Sequence, residues 1–113
     1  MYKIFRIVLY CLILLGVIHS TFTLFLYESL SANALWFFGT GLSYVFMGLY
    51  NLAALKVKIA AISNIAVILN FIGTIFTIAI TYILNEPQAY LAMILVIFIF
   101  VFSVLSAIGS IKK

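Results

Sequence analysis

Four uncharged stretches, residues 7–27, 29–55, 59–85 and 87–111, take up nearly all of this 113-residue chain. Each is long enough to cross a ~30 Å hydrocarbon layer as a helix, which takes about 20 predominantly apolar residues. A helix on the surface of a soluble domain keeps one polar face. These stretches are apolar around most of their circumference. Only 7% of the residues are charged and 68% are hydrophobic, against roughly 25% charged in an ordinary soluble domain. Such a chain has too little polar surface to cover itself, so lipid is its expected solvent. In lipid the backbone bonds internally, as helices or closed barrels.

The expected fold is all-α: four helices over about 4–27, 34–55, 59–84 and 87–111, in one domain covering 1–113. Ser29-Leu30-Ser31-Ala32-Asn33 breaks the first two apart, and Ser31 or Asn33 suits the N-cap of the second. Lys56-Val57-Lys58 is a short turn. Asn85-Glu86-Pro87-Gln88 stops the third helix, and Pro87 fits the first turn of the fourth. Short connections make sequential helices antiparallel neighbours, an up-down-up-down transmembrane bundle. The basic start and apolar run of the N-terminus imitate a signal peptide. The run continues to about Tyr27 without an A-x-A-like site, and reads as an uncleaved first span.

Charge orients this layout. Lys3, Arg6, Lys56, Lys58, Lys112 and Lys113 all fall on one side of the four spans. Glu28 and Glu86, the two acids, fall on the other. Basic residues stay on the cytoplasmic side, so both termini are expected in the cytoplasm. Tyr27, Trp36, Tyr82 and Tyr90 cluster near the opposite interface, where amphipathic rings anchor. The net charge is +4, but the six basic residues behind it are scattered in three pairs, which argues against a nucleic-acid partner. Cys11, the lone cysteine, sits in an apolar run and reads as a small buried hydrophobe.

The second helix carries the densest information. Gly41, Tyr44, Gly48 and Asn51 recur on one face, where small residues admit a close neighbour and polar ones bond across the contact. Gly16-x-x-x-Ser20 and Gly73-x-x-x-Thr77 repeat the idea. Gly16, Ser20, Gly41, Gly48, Asn51, Gly73 and Thr77 are therefore expected to pack helices, within one chain or, through an uncovered Gly41–Gly48 face, against a second copy or another membrane protein. Counting from span ends places His19, Tyr44, Asn70 and Thr74 near one depth. They read either as hydrogen-bonded glue between helices or as a polar midplane site for a small or proton-linked ligand. His19 carries the weight of the second reading, because an ionisable residue within a span is by default a functional hypothesis.

No GxSxG, HExxH, Walker or GxGxxG motif is present. No histidine–cysteine spacing suits a metal, and nothing points to a cofactor or a catalytic residue. GVIH at Gly16–His19 and LSANALWFFGTGLSYVFMGLYNL at Leu30–Leu52 resemble small uncharacterised four-span bacterial integral membrane proteins. The resemblance covers about a third of the chain and implies topology rather than a reaction. The expected function is non-enzymatic: a small multi-pass protein acting through helix–helix or lipid contacts, as an accessory subunit. The alternative is a carrier or binder of a small ligand around His19.

Overall fold

The computed structural model describes residues 1–111 and is all-α, with α1 Tyr2–Leu26, α2 Ala32–Val57, α3 Ala60–Leu84 and α4 Pro87–Ala107. All four helices are long and apolar enough to cross a membrane. Lys112 and Lys113, which help orient the chain in the sequence reading, lie outside the described residues.

Local chemistry sets the helix ends. Ser31 caps α2, its side chain accepting from the Ala34 N–H at 3.2 Å, while Asn33 lies inside the helix. Lys58 and Asn85 close α2 and α3 in the left-handed conformation, at φ 52° and 49°. Pro87 opens α4. That helix stops at Ala107, short of the expected Ile111, because Gly109 takes φ 79°. The Gly109 N–H returns to the Ser106 carbonyl (3.1 Å) and the Ser110 N–H to that of Leu105 (2.8 Å), a Schellman ending.

The helices form a ring in which α1 packs chiefly on α2 and α3 on α4, with lighter seams between α1 and α4 and between α2 and α3. The α1–α2 contact is backbone on backbone. A Cβ added at Gly16 would stand 2.5 Å from the Gly41 carbonyl oxygen, and one at Gly41 would stand 2.6 Å from that of Gly16. Gly48 meets Ile13 and the Leu9 carbonyl, and the Ser20 hydroxyl donates to the Phe38 carbonyl at 3.0 Å. The Gly41–Gly48 face is thus covered by α1, so of the two readings it takes packing within one chain and is not open to a second copy. A sequence motif shows that a face admits a close neighbour; it does not say which helix arrives first.

The apolar core is small: Phe5, Leu9 and Leu12 of α1 meet Ala92, Val96 and Ile99 of α4, with Tyr44 and Leu55 of α2 alongside. Large apolar side chains point outward instead, among them Leu24, Phe25, Tyr82 and Ile83, each more than three-quarters exposed. Cys11 also faces out rather than in. It follows Tyr10, also exposed, on the flank of α1 opposite the Leu9–Leu12–Gly16 stripe.

Two glycines test this packing. Gly41→Ala should destabilise the fold by about 1–3 kcal/mol, the usual cost of overpacking. Gly39→Ala, with nothing within 4 Å of the new methyl, should be neutral or stabilise by up to about 1 kcal/mol through helix propensity. Unfolding in mixed micelles measures both; equal effects would refute the backbone contact.

Candidate functional site

One stripe on α2 sets three tiers inside the bundle. Phe37, Tyr44 and Asn51 follow at seven-residue steps, each step about 10 Å along the helix. At the first tier the His19 ring stacks on Phe37, centroids 3.9 Å apart and planes inclined by 18°. At the second, the Tyr44 hydroxyl lies 3.4 Å from Thr77 Oγ1. Thr77 commits its own hydrogen to the Gly73 carbonyl at 2.8 Å, so the tyrosine is the donor. At the third, Asn51 and Asn70 exchange two amide hydrogen bonds, both 2.8 Å. The remaining Asn51 N–H donates to the Met47 carbonyl, also at 2.8 Å.

His19, Tyr44, Asn70 and Thr74 therefore do not share one layer. His19 lies five residues past Leu14, the midpoint of α1, about 7.5 Å off centre. Asn70 sits a full tier below Tyr44, paired with Asn51. Thr74 is half-buried and turns its hydroxyl back to the Asn70 carbonyl at 2.7 Å. Of the expected packing residues, Gly16, Ser20, Gly41 and Gly48 lie in the α1–α2 contact. Asn51 and Thr77 bridge α2 to α3. Gly73 lies near Met47 of α2, 3.3 Å from a built Cβ.

What brings His19 and Tyr44 together is a cleft of about 300 Å³ that all four helices line. Leu15, Ile80 and Ala92 give it apolar walls, and Tyr44 reaches its inner end. Its mouth lies at the end of the bundle where both acidic turns are, between Tyr27, Asn33, Trp36, Glu86 and Gln88. Most polar groups in it already have partners. Thr40 donates to the Trp36 carbonyl at 2.9 Å, Tyr44 is held by Thr77, and the Gln88 amide donates to Glu86. Among the lining groups without a partner, His19 Nε2 is the one that is buried. Thr23 Oγ1, one turn along α1, is likewise buried and unpaired.

Two other spaces are of a different kind. A cavity of about 340 Å³ at the opposite end is lined by Tyr2, Lys58, Ser63 and Ser106. An apolar groove of about 460 Å³ follows the α2–α3 seam past Phe46, Leu69 and Phe76. Neither contains an unpaired buried side chain. Among the described residues no group of histidine, cysteine, aspartate and glutamate is placed to hold a metal ion.

The sequence carried signals for the cleft that single-helix counting missed. Trp36, Phe37 and Tyr27 mark its aromatic rim, and Glu86 and Gln88 its polar edge, but they sit on two helices, α2 and α4, and in the turns before them. No protein-family model matches the chain, and neither a curated protein nor a solved structure is similar to it.

The asparagine pair yields a test of the lowest tier. Asn51→Leu or Asn70→Leu alone leaves a buried amide unpaired and should cost about 1–3 kcal/mol. The double substitution removes both amides and should cost less than the two singles together, with a coupling of roughly 0.5–2 kcal/mol. Strict additivity in a double-mutant cycle would mean that the pair does not form.

Proposed function

We propose that this is a multi-pass protein of the bacterial cytoplasmic membrane that binds a small, largely apolar ligand in the His19 cleft. The four helices cross up-down-up-down, with both termini in the cytoplasm and the cleft open to the outer face. Residue pairings support the alternation: along α1 and α2, contacts pass from Gly16–Gly41 to Leu9–Gly48, and along α2 and α3 from Tyr44–Thr77 to Asn51–Asn70. In both pairs one number falls as the other rises. The basic residues orient the whole. Topology reporters placed after Glu86 and after Lys113 should answer from opposite compartments, and agreement between them would exclude an even-numbered layout with the cleft outside.

The observation that carries the ligand reading is the buried, unpaired Nε2 of His19, a residue that lines the cleft. A buried polar atom without a partner costs about 1–3 kcal/mol, and native proteins leave few of them. The cleft volume is at the lower end of ordinary small-molecule sites, about 300 Å³ and upward. Glue between helices would have His19 bonded to a neighbouring side chain. Here its ring is held by stacking on Phe37, which fixes its direction and leaves Nε2 for a hydrogen-bonding group of the ligand. A contact-only accessory role has no use for this arrangement.

Trp36 is the sole tryptophan and lines the mouth, so its emission reports on the site. A neutral phenol such as p-propylphenol should shift that emission saturably. His19→Phe preserves the stacked ring and removes Nε2; it should weaken binding about tenfold, the value of one hydrogen bond of about 1.4 kcal/mol. The same variant should unfold no more easily than the parent, since it removes an unpaired buried atom. Unchanged phenol affinity in His19→Phe would sink this assignment.

A further inference from the structure

We propose that the ligand of this cleft is a cation: an amphipathic amine whose apolar body enters the cleft while its ammonium group stays at the mouth against Glu86. The inference rests on the ligand-binding reading above and adds the charge. Among the described residues Glu86 is the one charged side chain in the lining, which includes no lysine or arginine. Its side chain is exposed and has two neighbours. The residue is the N-cap of α4, and the Gln88 side-chain amide donates to its carboxylate. Neither neighbour cancels the charge. An amide is uncharged, and a helix N-terminus carries roughly half a positive charge at most. A net negative potential therefore remains at the mouth.

The rest of the rim suits the same ligand. Tyr27 and Phe37 rings lie 5.8 Å apart at 56°, and Trp36 stands beside them in the lining. Aromatic faces attract ammonium groups, tryptophan most of all. Behind this rim the walls are Leu15, Ile80 and Ala92, which offer an ammonium nothing and a hydrocarbon body a dry surface. An anionic ligand would meet Glu86 on entry with no cation to receive it. A neutral one would leave the carboxylate and the aromatic rim without a role in recognition.

Tyramine and p-propylphenol test the charge, because they share a phenol and a chain length and differ in ammonium against methyl. Titrations follow Trp36 emission in phosphatidylcholine nanodiscs, whose lipid is zwitterionic. Glu86→Gln should weaken tyramine about tenfold and leave p-propylphenol unchanged, whereas Glu86→Asp, which keeps the charge, should retain most of the tyramine affinity. Raising salt should weaken tyramine alone, since charges near water are screened. If Glu86→Gln affects the two probes equally, or if p-propylphenol binds and tyramine does not, the cation assignment falls and the cleft stands. If neither probe moves the emission, both readings fall together.

Discussion

The contact between Gly16 and Gly41 governs the remaining geometry. With carbonyl oxygens where side chains would otherwise stand, α1 and α2 approach as closely as backbones can, and α2 loses its freedom to rotate. The adjacent stripe of Phe37, Tyr44 and Asn51 is then turned toward the bundle interior, where each finds a different partner: an imidazole, a threonine hydroxyl and an asparagine amide. Helices in lipid gain little from burying apolar surface against one another, so close packing and hydrogen bonds decide how they associate. On the bilayer reading, α1–α2 is held by packing and α2–α3 by hydrogen bonds. The difference shows in space: the first seam has no room for a methyl group, while the second leaves an open groove of about 460 Å³.

Helix number and approximate limits were legible because uncharged length is a one-dimensional property. Most ends fell within two residues of expectation, and the exception has a local cause. Gly109 reads as a helix stop, but the apolar Ile111 beyond it extends the hydrophobic run past the end of the helix. The site was less legible because depth and register are relations between helices. Lys56-Val57-Lys58 makes α2 and α3 neighbours, and residues equally far from that turn would face one another. Asn51 is six residues from the end of α2, yet Asn70 is ten from the start of α3. The four-residue offset is about one helical turn. That slide moved Asn70 away from Tyr44 and into the reach of Asn51, and nothing within either helix encodes it.

The polar groups of the interior divide into two populations. Thr74, Thr77 and Thr81 return their hydroxyls to carbonyls one turn back, at 2.7–2.8 Å. A β-hydroxyl can do this within its own helix, although Thr23 Oγ1 on α1 does not. Histidine cannot, because its ring stands too far from the backbone. A histidine inside a bundle must find its partner on another helix or do without one. Phe37 meets the imidazole with its ring face and with its backbone, and neither contact pairs Nε2. The ring is thus held while one of its nitrogens stays unpaired.

The acids sharpen the same point. Orientation in a membrane follows lysine and arginine, while aspartate and glutamate contribute little. Neither Glu28 nor Glu86 is therefore needed to set the layout, and each is free to serve another purpose or none. They differ in where the helices put them. Glu28 lies in the α1–α2 turn and does not line the cleft, whereas Glu86 caps α4 at its mouth. The α3–α4 contact lies close by, for the one Thr81 hydroxyl hydrogen is shared between its own Thr77 carbonyl at 2.8 Å and the Ala89 carbonyl of α4 at 3.1 Å. Glu86 itself is exposed and lines the mouth with Trp36 and Gln88, while His19 lies in the same cleft.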